Sequence, residues 1–213
     1  MIKNIIFDMD GVISDTQKLH SKIEAEILNR FGVNLTSQEI TEKYAGIRTK
    51  IFFNELLKNQ NKSYNINTLI QEKWEKMTKL SQLGIDEIPG SSLLIETLSK
   101  ANFSLAVASA SNNIYVNRVL ETLKVKKFFK AIVSGDMVKK GKPDPESFTL
   151  AADLLKANYK NCLVIEDGVS GMQAAKSAGM KCIGLTIDKN KKYPTKNLVT
   201  SLDEITIEYI KSL

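Results

Sequence analysis

Histidine is almost missing from this 213-residue chain: His20 is the only one. The two cysteines, Cys162 and Cys182, stand far apart. One histidine and two spaced cysteines cannot build a His/Cys metal cluster, and a Ser-His-Asp triad is open only if His20 takes part. Any metal must be held by carboxylates and other oxygens, which suits Mg²⁺. Each cysteine opens a short apolar run (CLVI and CIGL). Without ligand spacing they read as buried free thiols of a reducing compartment. Arginine is scarce too: Arg30, Arg48 and Arg118 are all there is. The net charge of +6 is carried by lysines spread along the chain, denser at Lys139–Lys142 and Lys189–Lys196. Sequence-specific nucleic-acid readers cluster their charge and favour arginine, so these lysines read as a solvated surface and no nucleic-acid partner is expected. No apolar run approaches the ~18–20 residues of a membrane span. The N-terminus reaches Asp8 and Asp10 after one short apolar stretch, which does not read as a secretory signal. The expectation is a cytoplasmic globular protein with no membrane partner.

Short continuous apolar runs recur at Ile5–Phe7, Leu105–Ala108, Ala131–Val133, Leu163–Ile165 and Ile183–Leu185. Continuity, as opposed to alternation, predicts strands buried on both faces of a parallel sheet. Helical spacing predicts helices over Ser91–Lys100, Ile114–Leu123, Pro145–Leu155 and Ser170–Ala178. Strand alternating with helix implies a doubly wound, Rossmann-like α/β core. Residues 16–83 break that rhythm. They read as amphipathic helices at Gln17–Phe31, Ser37–Tyr44, Lys50–Lys58 and Asn67–Leu80, punctuated at Gly32–Asn34 and Asn59–Asn65. The expected organisation is a catalytic core of residues 1–15 and 84–213 with an all-helical insertion at 16–83, re-entering the core at Pro89-Gly90.

Four polar segments follow four of the expected strands: Asp8-Met9-Asp10-Gly11, Ser109-Ala110-Ser111-Asn112, Gly141-Lys142-Pro143-Asp144-Pro145 and Glu166-Asp167-Gly168. In open α/β sheets the carboxyl ends of the strands share one edge, where ligands bind. Asp8, Asp10, Glu166 and Asp167 crowded there need a neutralising cation, implying a Mg²⁺ site. Ser109 supplies a hydroxyl next to free N–H groups at a helix start, which suits a phosphate. Lys142 adds a compact positive charge for the same anion. Carboxylate, cation, lysine and N–H donors around one phosphate make a phosphoryl-transfer constellation.

In these motifs the chain resembles the haloacid dehalogenase superfamily, in its branch with a helical cap after the first motif. Asp8-Met9-Asp10-Gly11-Val12-Ile13-Ser14-Asp15-Thr16 is similar to the family pattern D-x-D-G-x-x-x-D-[ST]. Ser109, Lys142 and Glu166-Asp167 match the remaining three motifs. The resemblance implies Asp8 as nucleophile, forming an aspartyl-phosphate. It implies Asp10 as general acid/base, a role that needs a raised pKa, toward which nearby carboxylates push. Asp8, Asp167 and the Asp10 main-chain carbonyl would bind Mg²⁺, with Glu166 a further ligand or an orienting group. Ser109, the Ala110 N–H and Lys142 would hold the phosphoryl group. An acid at position 10 disfavours dehalogenase and phosphonatase chemistry, since it serves the leaving oxygen of a phosphate ester.

Outside those motifs, His20 lies four residues after Thr16 on one helix face and reads either as structural or as a substrate contact. Arg48, in a break between cap helices, suits a second anionic group on the substrate. Ser111 and Asn112 follow the phosphate loop and are candidate substrate contacts. Asp15-Thr16 reads as a helix N-cap or a hinge, and Trp74 with Phe52-Phe53 as cap core. The implied activity is a phosphatase for small phosphorylated metabolites, sugar phosphates foremost; the alternative is a phosphosugar mutase of the β-phosphoglucomutase kind. Such mutases carry Gly-Val-Ser-Arg in the cap loop and Ser-Ala-Ser-Lys after the second strand. Here stand Gly46-Ile47-Arg48-Thr49 and Ser109-Ala110-Ser111-Asn112, and the Trp expected soon after His20 is absent. A monomer acting on a small-molecule phosphate ester is expected.

Overall fold

Ile5, Ile6 and Phe7 are fully buried, so the first strand must be covered on both faces. The computed structural model, which describes residues 1–44, 46–60 and 63–213, shows how. Strand β1 (Asn4–Phe7) lies between β2 (Ser104–Ala108) and β4 (Cys162–Glu166), parallel to both. With β3 (Phe129–Val133), β5 (Lys181–Leu185) and β6 (Asn197–Val199) the order is β3-β2-β1-β4-β5-β6, all parallel. This is the expected doubly wound α/β sheet. Ile6, Ala106, Val164 and Cys182 share one core with Phe148, Met172 and Ala175. Ile5, Phe7, Leu105 and Ile165 face the other, with Leu98, Tyr115 and Val119. The first core is closed by helices α7 (Glu146–Leu154) and α8 (Val169–Ser177), the second by α5 (Ser91–Lys100) and α6 (Asn113–Thr122). Cys162 and Cys182 are buried and free, and burial pushes the Cys162 thiol up to about 11.

Between β1 and α5 come α1 (Gln17–Asn29), α2 (Ser37–Tyr44), α3 (Thr49–Leu57) and α4 (Ile66–Ser81). Their ends fall within one or two residues of the sequence expectation. Asn65 caps α4 by accepting from the Asn67 and Thr68 amides. The expected break at 59–65 includes residues 61 and 62, which lie outside the described residues. The two chain crossings into this helical segment run side by side: Asp15 N donates to Asp86 O (2.8 Å) and Ile88 N to Ile13 O (3.0 Å). Phe52 and Phe53 are core residues of the segment, as expected.

The order places a switch point at β1: the chain leaves it toward β2 and β3, then returns to build β4, β5 and β6 on its other side. Connections diverge there and leave a crevice at the carboxyl edge of β1 and β4. Two elements were not foreseen. Strand β6 offers only Leu198 and Val199 after a lysine-rich stretch, and α9 (Ile207–Ser212) is six residues long.

Candidate active site

Asp8 is the first residue past β1, and its N–H donates to Ile165 O of β4 (2.9 Å), so its side chain emerges at the switch point. Lys142 Nζ bonds Asp8 Oδ1 and lies 2.7 Å from Glu166 Oε2. All three groups are buried. Glu166 Oε1 also accepts from the Gly168 amide (2.9 Å). One oxygen each from Asp8, Glu166 and Asp167 fall within 4.8 Å of one another. Two glycines make room. A Cβ on Gly11 would meet Asp167 Oδ2 at 2.2 Å, and one on Gly171 of α8 would meet Glu166 Oε2 at 1.9 Å. Gly11 also holds φ at +95°, a conformation that favours glycine.

The electrostatics follow from burial. Desolvation and the neighbouring Glu166 carboxylate push Asp8 up to about 8, against the pull of Lys142. Burial, Glu166 and Asp8 likewise hold Asp167 well above the usual carboxylate range. For Lys142, burial favours the neutral amine, but Asp8 and Glu166 outweigh it and keep the ammonium charged. A buried, all-oxygen set of three carboxylates fits a hard divalent cation such as Mg²⁺. A cation would also relieve the repulsion that raises Asp8 and Asp167.

Asp10 behaves differently. Its carboxylate has a different set of partners. Oδ1 accepts from Thr16 Oγ1 (2.6 Å) and lies 3.1 Å from His20 Nε2; Oδ2 accepts from Ser111 Oγ (2.8 Å) and Ser109 Oγ (3.3 Å). Burial raises its pKa, but the charge on His20 and the bonds from His20, Thr16 and Ser111 prevail and hold it far below the usual range. The expectation that nearby carboxylates raise Asp10 is therefore corrected, because its partners are donors. Thr16 occupies the N-cap position of α1, yet it makes no side-chain cap bond: its hydroxyl serves Asp10 and Ser14.

The other candidates divide. Ser109, Ala110 and Lys142 gather at the same edge, and Ser109 Oγ accepts from the Ser111 amide (3.0 Å). His20 is buried against the rings of Trp74 (5.8 Å) and Tyr115 (5.5 Å). Ser111 points at Asp10. Asn112 instead caps α6, accepting from the Tyr115 amide (2.8 Å), and does not line the cavity above Asp8 and Asp10. Arg48 lines that cavity, but its terminal nitrogens donate to the carbonyls of Gly135, Val138 (2.6 Å) and Lys139 (3.0 Å). Arg48 thus keeps its charge at the cavity wall while its terminal nitrogens are held by main-chain carbonyls of the 135–139 segment.

Polar residues that no motif marks also face this cavity. Glu24 (α1), Thr49 (α3) and Lys73 (α4) line the cap side of the same cavity and bond one another. Glu24 carried a signal, since it stands four residues after His20 on the same helix face. Lys73 carried none among so many lysines.

Comparison with known proteins agrees with this architecture. Among the described residues no helix is long and apolar enough to cross a membrane. The chain is 31% identical to a phosphorylated carbohydrates phosphatase of Thermotoga maritima over 182 residues, 84% of this chain and 82% of that protein. It is 31% identical to a beta-phosphoglucomutase of Bacillus subtilis over 191 residues, 86% of this chain and 83% of that one. A crystal structure of beta-phosphoglucomutase from Clostridium difficile superposes with a TM-score of 0.88 at 28% identity, covering 100% of this chain and 96% of that chain. Residues 5–185 match the haloacid dehalogenase-like hydrolase family, and the chain is a member of that family.

Proposed function

We propose that this chain is a Mg²⁺-dependent phosphatase that hydrolyses small phosphorylated metabolites, sugar phosphates foremost, through an aspartyl-phosphate on Asp8. One observation carries the reading: two carboxylates two residues apart stand in opposite surroundings. Asp8 is clasped by Lys142 within an acidic cluster, and Asp10 is held by hydroxyls and a histidine. Carboxylates whose environments push their pKa values apart are suited to separate roles.

In this mechanism Lys142, Ser109 and the Ala110 N–H hold the phosphoryl oxygens. An Asp8 oxygen attacks phosphorus, and the bond to the leaving oxygen breaks. Asp10 gives that oxygen a proton, then takes one from the water that attacks the aspartyl-phosphate, releasing inorganic phosphate and restoring Asp8. The dianionic substrate beside Asp10 adds negative charge, which raises its proton affinity toward the acid role. His20 fixes the carboxylate and balances its charge. Asp8, Asp167 and the Asp10 main-chain carbonyl would hold Mg²⁺, whose charge offsets that of the transferring group. Glu166, already committed to Lys142 and the Gly168 amide, suits an orienting role. Residues 16–83 act as a cap over a core of 1–15 and 84–213. A monomer completes the proposal, in a cytoplasmic setting that suits two buried free thiols.

The second reading is a phosphosugar mutase, favoured by the likeness to beta-phosphoglucomutase structures. Against it, Asn112 supplies no cation and Arg48 is bound to core carbonyls, so the grip on a second phosphate is weak. A ³¹P NMR time course with Mg²⁺, β-glucose 1-phosphate and a trace of glucose 1,6-bisphosphate separates the two. Growth of inorganic phosphate is expected. Glucose 6-phosphate without phosphate release would establish the mutase.

A further inference from the structure

Tyr115 is 1% exposed, and its hydroxyl is buried with no hydrogen-bond partner among the described residues. It belongs to α6, on the core side, and does not line the cavity above Asp8 and Asp10. Its ring packs at right angles to His20 (5.5 Å) and lies 5.7 Å from the ring of Trp74, so it backs the histidine that holds Asp10. Its hydroxyl faces Thr16 without closing a bond to it. Burial and the Asp10 charge push the phenol far above its usual range, and the Thr16 hydroxyl pulls the other way. The phenol therefore keeps its proton and can both donate and accept. A buried hydroxyl without a partner costs stability, a cost that phenylalanine, of nearly the same shape, would avoid. None of the proposed steps uses this hydroxyl.

The bonds around Thr16 supply a use for it. Thr16 has one hydroxyl proton, and that proton goes to Asp10 Oδ1 (2.6 Å). Ser14 Oγ, 2.9 Å from Thr16 Oγ1, must then be the donor of the bond between them. When Asp10 turns to the leaving oxygen of a substrate, Thr16 loses its acceptor. A buried donor left unpaired is costly, so the proton needs another oxygen. Ser14 is poorly placed to take it. Its own proton would have to pass to Met9 O, 3.4 Å away, which is long for an O–H···O bond. Tyr115 Oη is buried, faces Thr16 and has its lone pairs free.

We propose that Tyr115 is a positioning residue: its hydroxyl oxygen accepts the Thr16 proton when Asp10 lets it go, so that Asp10 serves the leaving group without stranding a buried donor. The unpaired hydroxyl of the resting arrangement is the free half of that exchange. No covalent bond changes; one hydrogen bond replaces another. This deepens the phosphatase reading and rests on it for the acid role of Asp10.

The test is Tyr115→Phe, which removes only the oxygen, against the unmodified enzyme with Mg²⁺ on two substrates. The sugar oxygen of glucose 6-phosphate needs a proton as it leaves, whereas p-nitrophenolate leaves without one. For glucose 6-phosphate kcat/KM is expected to fall about tenfold, the kinetic worth of one hydrogen bond. For p-nitrophenyl phosphate it is expected to change by less than about twofold, since no acid is called on. The variant should melt no lower than the unmodified protein, because the hydroxyl it lost had no partner. In a Thr16→Val background, which removes the donor, Tyr115→Phe should have no further effect. Equal losses on both substrates, a lower melting temperature, an undiminished kcat/KM for glucose 6-phosphate, or the same loss with and without Thr16 would overturn the proposal while leaving the phosphatase reading in place. No phosphate release from glucose 6-phosphate by the unmodified enzyme would strike that reading itself, and the proposal with it.

Discussion

Asp8 and Asp10 show how two identical side chains acquire different chemistry from their neighbours. Asp8→Asn removes the proposed nucleophile while leaving Lys142 paired with Glu166, so turnover should vanish with the fold intact, as phosphate release and circular dichroism would show. Metal dependence follows from the raised carboxyls. An unfolded Asp titrates near 3.9, and Asp8 in the fold is pushed up to about 8. Without metal, the stability linked to its protonated form is complete below the unfolded value and lost as pH rises through the folded one. Mg²⁺ at a hundredfold its dissociation constant adds about 2.7 kcal/mol. For a chain of this size that is a Tm increase of roughly 5–10 °C. The increase should be larger at about pH 8 than at about pH 5 in thermal melts; equal shifts would place the cation elsewhere. Asp10 has the opposite sign. Its depressed pKa contributes stability that is present above about pH 4 and lost as acid protonates it. His20→Asn removes the charge that holds it down, so the acid-unfolding midpoint should move to higher pH. An unchanged midpoint would mean that Thr16 and Ser111 suffice.

At the scale of elements, helix α8 shows how a secondary structure serves the site through what it omits. Gly171 lets the helix pass against the Glu166 carboxylate, where a Cβ would stand 1.9 Å from Oε2. Gly171→Ala should cost about 1–3 kcal/mol in urea unfolding, as overpacking does. It should also lower turnover roughly 10- to 100-fold by displacing a group that orients the site. A loss of stability at full activity would detach Glu166 from the chemistry. The strands were legible because Ile5–Phe7 and Leu163–Ile165 are apolar on both faces, and the cap helices because their periodicity is regular. β6 and α9 were not, since three or six residues carry too little pattern. The carboxylates, Ser109 and Lys142 were legible because each follows a strand that ends at one edge. Partner choice was not. Whether Asp10 meets carboxylates or hydroxyls, whether Arg48 meets an anion or carbonyls, and whether Lys73 meets Glu24 depend on how cap and core are juxtaposed. No local spacing encodes that.

That juxtaposition sets the behaviour of the whole molecule. The cavity above Asp8 and Asp10 measures about 50 Å³, whereas small-molecule sites run to about 300–1,000 Å³. On the proposed reading, a sugar phosphate enters as residues 16–83 swing away from the core and close again. In that reading the paired crossings at Asp15–Asp86 and Ile13–Ile88 serve as the hinge, and Arg48 holds the far side closed. Its three carbonyl partners lie on the 135–139 segment, and Gly141 packs so close that a Cβ there would stand 2.9 Å from Arg48 Cδ. A hydrogen bond to a charged group contributes about 1.5–3 kcal/mol. If closure loses that much, kcat/KM falls roughly 10- to 150-fold. Arg48→Ala should show this loss together with a larger radius of gyration by small-angle scattering. Arg48→Lys should recover only part of it, because an ammonium lacks the planar fork that reaches several carbonyls at once. A variant that stays closed in scattering yet loses activity would return Arg48 to the role first expected of it, a direct contact with substrate.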